Sequence, residues 1–233
     1  MTTTHIGSAL LRTVNLQGPA GRLEALLNAG REDASYCVLV CHPHPLGGGT
    51  LHNKEVFHAM KAFQSFGLPV LRFNFRGTGL SEGEHDDGHG EQDDVRAALD
   101  WLDRELAQPI LFAGFSFGAA VGLEACCGDP RFKGMVGLGL PVHAEGRDYH
   151  YDFLHHCTQP KLFIRGSQDE YGAQAGLEAA VANAAPPVQM VWIEGANHFL
   201  VGRLEEMQAA LRNWIETNFA LTQGGIKPAS DSR

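Results

Sequence analysis

A chain of 233 residues suits one domain, and a domain of that size buries roughly 70% of its unfolded surface without covalent staples. Its composition, 44% hydrophobic and 19% charged, is that of a globular protein, and 18 Lys plus Arg against 27 Asp plus Glu leave a net charge of −9. A field of that sign repels phosphate backbones and anionic lipids, which argues against nucleic-acid and membrane-surface partners.

In chain order, the first elements read as strands: Ala9 to Leu16, Arg22 to Leu27 after a Gly-Pro-Ala-Gly turn, and the continuous apolar run Tyr36 to Cys41. A run without alternation suits a strand buried on both faces. Val56, Met60 and Phe63 then recur at helical spacing and stop at Phe66-Gly67. Pro69 to Phe75 is the next strand. Val95, Ala98, Leu99, Leu102 and Leu106 make a long amphipathic helix, whose entry through Glu91, Asp93 and Asp94 suits its positive end. Strand Pro109 to Ala113 leads into a buried helix, Phe117 to Cys127, and then strand Gly134 to Leu140. Strand Lys161 to Arg165, helix Ala173 to Ala184 and strand Val188 to Ile193 follow, and Leu200 to Ile215 forms a final amphipathic helix. Such alternation means βαβ units, an α/β fold with a mostly parallel sheet covered on both faces. One domain over residues 1–220 is expected, with 221–233 (LTQGGIKPASDSR) as a loose tail lacking any hydrophobic period.

The five cysteines are few and odd in number, with no C-x-x-C spacing, and read as reduced thiols. Met1 to Thr4 lacks the basic start and apolar run of a signal peptide. The longest uncharged stretch, Pro109 to Leu123, is broken by glycine and falls short of the ~20 apolar residues that span a bilayer. A cytoplasmic location is the expectation.

The sharpest chemical signal is Gly114-Phe115-Ser116-Phe117-Gly118, a G-x-S-x-G between a strand and a helix. A nucleophile held in that turn needs glycine on either side, because side chains there would collide. The plainer alternative is a glycine-rich turn whose serine only caps the helix. A serine hydroxyl needs a base, and the base needs an orienting carboxylate. Asp169 lies just past strand Lys161 to Arg165, and His198 just past strand Val188 to Ile193, so both leave the sheet edge that carries Ser116. The rival assignment makes Glu170 the acid and Asp169 a helix cap. An oxyanion hole needs two backbone N–H groups. Phe117 supplies one, and the loop His42-Pro43-His44-Pro45-Leu46 supplies the other from His44 or Leu46, with His44 preferred, since proline has no N–H.

Three other readings are weaker. His42, His44 and His52 lack a carboxylate or cysteine set that would complete a zinc site. Gly47 to Thr50 lacks the lysine ending of a phosphate cradle. The segment His85-Asp86-Asp87-Gly88-His89 reads as a solvated acidic loop. No metal and no cofactor is called for.

Over residues 8 to 220 the sequence resembles the α/β-hydrolase superfamily, specifically a small bacterial branch of it. The resemblance rests on the elbow, on CHPHPLGGG with Asn53-Lys54, on FNFRGTGLSEG at 73 to 83, and on Asp169 and His198. It implies an eight-stranded, mostly parallel sheet and an esterase-like triad of Ser116, Asp169 and His198. Serine at 116 separates the chain from dienelactone-hydrolase relatives, which use cysteine, and from dehalogenase relatives, which use aspartate. Only Pro141 to Pro160 separate two strands where many relatives insert a lid, whereas two average helices with connections need roughly 35 residues. At most one short helix, His150 to Cys157, is expected there, so the site should be open and lidless. The expected activity is hydrolysis of a small-molecule ester, of short acyl or small alcohol part, with thioesterase, amidase or peptidase action and a non-catalytic binding role as alternatives. A homodimer is entertained, with no residue to argue for it.

Overall fold

A Pro19-Ala20 turn folds the strand Leu11–Gly18 (β1) back onto Gly21–Asn28 (β2), with Gly18 opposite Gly21 in an antiparallel ladder. β1 alternates exposed and buried residues over its second half, as an outer strand with one wet face does. The computed structural model describes residues 11–144 and 146–223. Ala9 and Leu10 of the first expected strand, and 224–233 of the expected loose tail, lie outside them.

The remaining strands follow in order: Cys37–Cys41 (β3), Val70–Phe73 (β4), Ile110–Phe115 (β5), Phe132–Leu138 (β6), His143–Ala144 (β7), Arg147–Asp148 (β8), Lys161–Gly166 (β9) and Val188–Ile193 (β10). Eight of them form one sheet in the order β1-β2-β4-β3-β5-β6-β9-β10, while β7 and β8 make a separate small hairpin. β1, β2 and β4 pair antiparallel, and every pairing from β4 to β10 is parallel. β3, β4, β5 and β9 are buried at every position; β3 and β5 read as unbroken apolar runs for that reason, while β4 and β9 carry the buried Arg72, Lys161 and Arg165.

Helices cover both faces. Lys54–Gln64 (α1) and Leu204–Phe219 (α5) share one core, built on Phe63, Met207, Leu211 and Trp214. His89–Leu106 (α2), Phe117–Cys126 (α3) and Gln174–Val181 (α4) share the other, with Leu99, Leu102, Leu123 and Leu177. α3 is buried nearly all round, so its sequence has no polar face to show a period.

Three boundaries differ from the sequence reading for local reasons. β6 ends at Leu138 and not at Leu140, because Gly139 takes φ +54° and turns the chain. The last helix starts at Leu204, since Leu200 sits at φ +50° as a buried plug before it. The expected helix at 150–157 is a 3-10 turn, Asp152–His156, preceded by the β7–β8 hairpin. Nothing between β6 and β9 is large enough to be a cap, and the fold is lidless.

The cysteine reading needs correction. Cys127 and Cys157 form a disulfide with Cα atoms 5.3 Å apart, tying the end of α3 to the 3-10 turn. Their separation of 30 residues gave no hint of it. Cys37, Cys41 and Cys126 are free and buried, and burial pushes the Cys41 and Cys126 thiols well above their ordinary range. Among the described residues no helix is long and apolar enough to cross a membrane.

Candidate active site

Ser116 stands at the turn from β5 into α3 with φ 54° and ψ −121°, a strained conformation for a residue with a side chain, costing of order 1–3 kcal/mol. The surroundings hold it there. Its N–H donates to Leu138 O at 2.8 Å on the neighbouring strand, and its carbonyl accepts from Ala119 and Ala120 N–H. The flanking glycines are obligatory. A Cβ on Gly114 would lie 2.5 Å from Gly118 O, and one on Gly118 would lie 2.2 Å from His42 O.

The two late loops are laced together. Gln168 N–H donates to Ala196 O at 2.9 Å, Ser167 N–H to Ile193 O, and Gly195 N–H to Ser167 Oγ at 2.8 Å. Across this brace, His198 Nδ1 lies 2.8 Å from Asp169 Oδ2 and its Nε2 lies 2.9 Å from Ser116 Oγ. Three residues picked from separate loops are therefore in one hydrogen-bonded line. Phe115, Tyr171 and Phe199 pack around the imidazole, with ring centroids 5.0, 4.4 and 5.2 Å away. Asp169 Oδ1 accepts from Tyr171 N–H at 2.8 Å. Glu170 takes a different post: its Oε2 accepts the backbone N–H of His198 and does not meet the ring nitrogen. Burial pushes the Asp169 carboxyl up, but His198 and Arg165 together outweigh it and hold the carboxyl below its ordinary range. An ionised carboxylate only accepts, so Nδ1 carries the proton and Nε2 is left to accept from the Ser116 hydroxyl.

These residues open onto a cleft of about 60 Å³ that Pro43, His44, Phe117, Ala144 and Tyr149 also line. Phe117 is the first residue of α3, where backbone amides have no acceptor within the helix. Of the two loop candidates, Leu46 spends its N–H on His44 Nδ1 at 3.2 Å and lines a neighbouring cleft. His44 borders the cleft of Ser116, with its ring 4.7 Å from that of Phe117.

Residues 35–223 match the family model of the alpha/beta hydrolase domain. The chain belongs to the alpha/beta-hydrolase family. A protein of Rickettsia prowazekii is 33% identical to it over 211 residues, 88% of each chain. An alpha-beta serine hydrolase homologue from Coxiella burnetii is 36% identical, with a TM-score of 0.79 over 87% of this chain and 96% of that one. A lidless serine hydrolase from Xanthomonas campestris is 29% identical, with a TM-score of 0.79 over 94% and 97%. Fold and relatives together place this alpha/beta hydrolase among hydrolytic enzymes.

Several residues of the hydrolase escape a reading of its sequence. Arg165 is fully buried; its guanidinium donates to Leu140 O at 3.1 Å and Gly172 O at 2.8 Å. Its Nε lies 2.8 Å from Asp169 Oδ2, an ion pair whose N–H is off the line of a good hydrogen bond. An arginine just past the apolar Leu162-Phe163-Ile164, four residues before the acid, is the signal that could have found it. The segment 85–89 also needs correction. Asp87 is solvated, with its side chain 92% exposed, but the His85 ring packs on His44 and Phe117, at 4.9 and 5.7 Å. His85 Nδ1 lies 2.8 Å from the buried Glu91, and Glu91 accepts the Asp86 and Gly88 N–H groups as it starts α2. His42 is spoken for as well. Its Nδ1–H donates to Pro43 O and its Nε2 accepts from Phe75 N–H, and burial lowers its pKa to about 3.

Proposed function

We propose that this alpha/beta hydrolase is a serine esterase that cleaves carboxylic esters of short acyl groups through an acyl-Ser116 intermediate. The observation that carries the reading is the continuous line Ser116 Oγ to His198 Nε2 to Asp169, at 2.9 and 2.8 Å, beside a helix N-terminus. The Ser116 hydroxyl passes its proton to Nε2 as Oγ attacks the ester carbonyl. The carbonyl oxygen becomes an oxyanion, received by the N–H groups of Phe117 and His44. The imidazolium returns the proton to the departing alcohol. Water then attacks acyl-Ser116 with His198 again as base, releasing the acid and free enzyme. Asp169 holds the ring in the tautomer that this sequence needs. The cleft at Ser116 is small, about 60 Å³, which supports a short acyl group.

The test is hydrolysis of p-nitrophenyl acetate, butyrate, octanoate and palmitate by wild type and Ser116→Ala. Acetate and butyrate should be cleaved by wild type alone. Equal activity of the two proteins would overturn the reading.

A further inference from the structure

The cleft beside His198 continues into a second, larger one. Asn53 and Phe199 line both, and the second has a volume of about 490 Å³ against about 60 Å³ for the first. Its two walls differ in chemistry. Phe199, Val201 and Leu204 form the apolar wall; Thr50, His52, Asn53, Lys54 and Glu55 form the polar one. The apolar wall is built, not incidental. Leu200 is completely buried at φ +50°, with its N–H on Asn197 O, and this plug turns its neighbours outward. Phe199 is therefore 40% exposed and Val201 71%, although both are large and apolar. Val201 N–H is tied to Asn197 Oδ1 at 3.1 Å, which fixes the rim. Phe199 and Val201 thus give the second cleft an apolar lining open to water. On the opposite wall Glu55 is only 4% exposed, although it opens α1.

Chemistry decides which half of an ester belongs here. The leaving oxygen must take its proton from His198 Nε2, so the group attached to that oxygen extends on the His198 side of the cleft. Phe199 follows His198 directly, and Asn53, two residues before Glu55, lines the cleft of His198 and the cleft of Glu55 alike. The part of the first cleft lined by Ala144 and Tyr149 is then left to the acyl group. We infer that the cleft between Glu55 and the Phe199–Val201 rim is the leaving-group subsite, and that it takes a bulky alcohol with an apolar or aryl body and a hydroxyl for Glu55. The inference rests on the serine-esterase reading and reverses the expectation of a small alcohol: bulk belongs on the alcohol side and not on the acyl side.

Benzyl acetate and methyl phenylacetate are isomers that carry the ring on opposite sides of the ester, and they make the test. Wild type should show a kcat/KM for benzyl acetate at least about tenfold above that for methyl phenylacetate, the scale of a few methylenes in an apolar pocket. Val201 is exposed enough to change without disturbing the fold, and Val201→Asp should lower the benzyl acetate to ethyl acetate ratio about tenfold, through KM. Glu55→Met, which removes the acceptor, should erase the advantage of 4-(hydroxymethyl)benzyl acetate over benzyl acetate. Methyl phenylacetate cleaved as well as benzyl acetate, or a Val201→Asp ratio equal to that of wild type, overturns the subsite. If a fluorophosphonate labels Ser116 while no alcohol preference is found, the subsite falls and the esterase reading stands. If no ester is cleaved and nothing is labelled, both fall.

Discussion

Arg165→Met keeps most of the side chain's apolar stem and deletes a guanidinium with three contacts: Leu140 O at 3.1 Å, Gly172 O at 2.8 Å and Asp169 Oδ2 at 2.8 Å. The Asp169 side chain is 1% exposed, so water cannot replace the lost charge. Breaking a buried pair by removing one partner costs about 3–5 kcal/mol, and at ~2–4 °C per kcal/mol for a chain of this length the melting temperature should fall by roughly 6–20 °C. The loss has a pH signature. Asp169's carboxyl is held below its ordinary range in the folded protein, so the stability it supplies is fully present above the unfolded value of about 3.9 and lost as pH falls through the folded one. Without Arg165 the folded value rises and that contribution shrinks. The unfolded value is common to both proteins, so the gap should be widest near neutrality and close as pH falls from the variant's raised folded value to the lower one of wild type. Urea unfolding followed by circular dichroism at pH 7, 5 and 3 measures it directly. A variant as stable as wild type at pH 7, or a deficit of the same size at all three values, would refute the assignment of Arg165 as the residue that positions and holds the acid.

Other outcomes follow from the same contacts. Asp169→Asn should lower kcat on p-nitrophenyl acetate about 10⁴-fold while KM changes little, whereas Glu170→Gln, which loses only a bond to a backbone N–H, should stay within about tenfold of wild type; steady-state kinetics on the two variants separates the acids. Gly118→Ala forces a Cβ to 2.2 Å from His42 O, and should cost about 1–3 kcal/mol in a urea titration, as overpacking does, with activity lost as the 43–47 loop is displaced. Thiol titration with Ellman's reagent should find no fast-reacting group in the native protein, because Cys37, Cys41 and Cys126 are buried. Denaturation should release three thiols, and denaturation with reductant five; five without reductant would remove the disulfide.

What was legible in the sequence is what local rules determine. The turn at Ser116 needs glycine at 114 and 118, and parallel strands such as β3 are apolar throughout, so the elbow and the sheet can be read without any long-range contact. Asp169 and His198 are legible because each follows a strand, and strand ends share an edge. Arg165 is hidden because its charge lies in a run that reads as core, and its partner is known only once the chain turns back at Gly166. The Cys127–Cys157 bridge and the packing of His85 on Phe117 join segments 30 or so residues apart, and neither has a spacing rule. Between His44 and Leu46 no local rule decides, since both carry an N–H; the structure adds that Leu46 N–H is bonded to the His44 ring.

The line from Ser116 to His198 joins residues 82 positions apart and closes only across β5, β6, β9 and β10. On the proposed serine-hydrolase reading, catalysis is then a late event in the life of each newly made molecule. Helices and the β1–β2 hairpin can form early from neighbouring residues, but the hydroxyl meets its base only when the last strand has docked on the far edge. During refolding, regained ellipticity should precede regained turnover. A nick before β10 should silence the enzyme while leaving much of its secondary structure in place, whereas the outer hairpin, at the opposite edge of the sheet, can fray without disturbing the reactive serine.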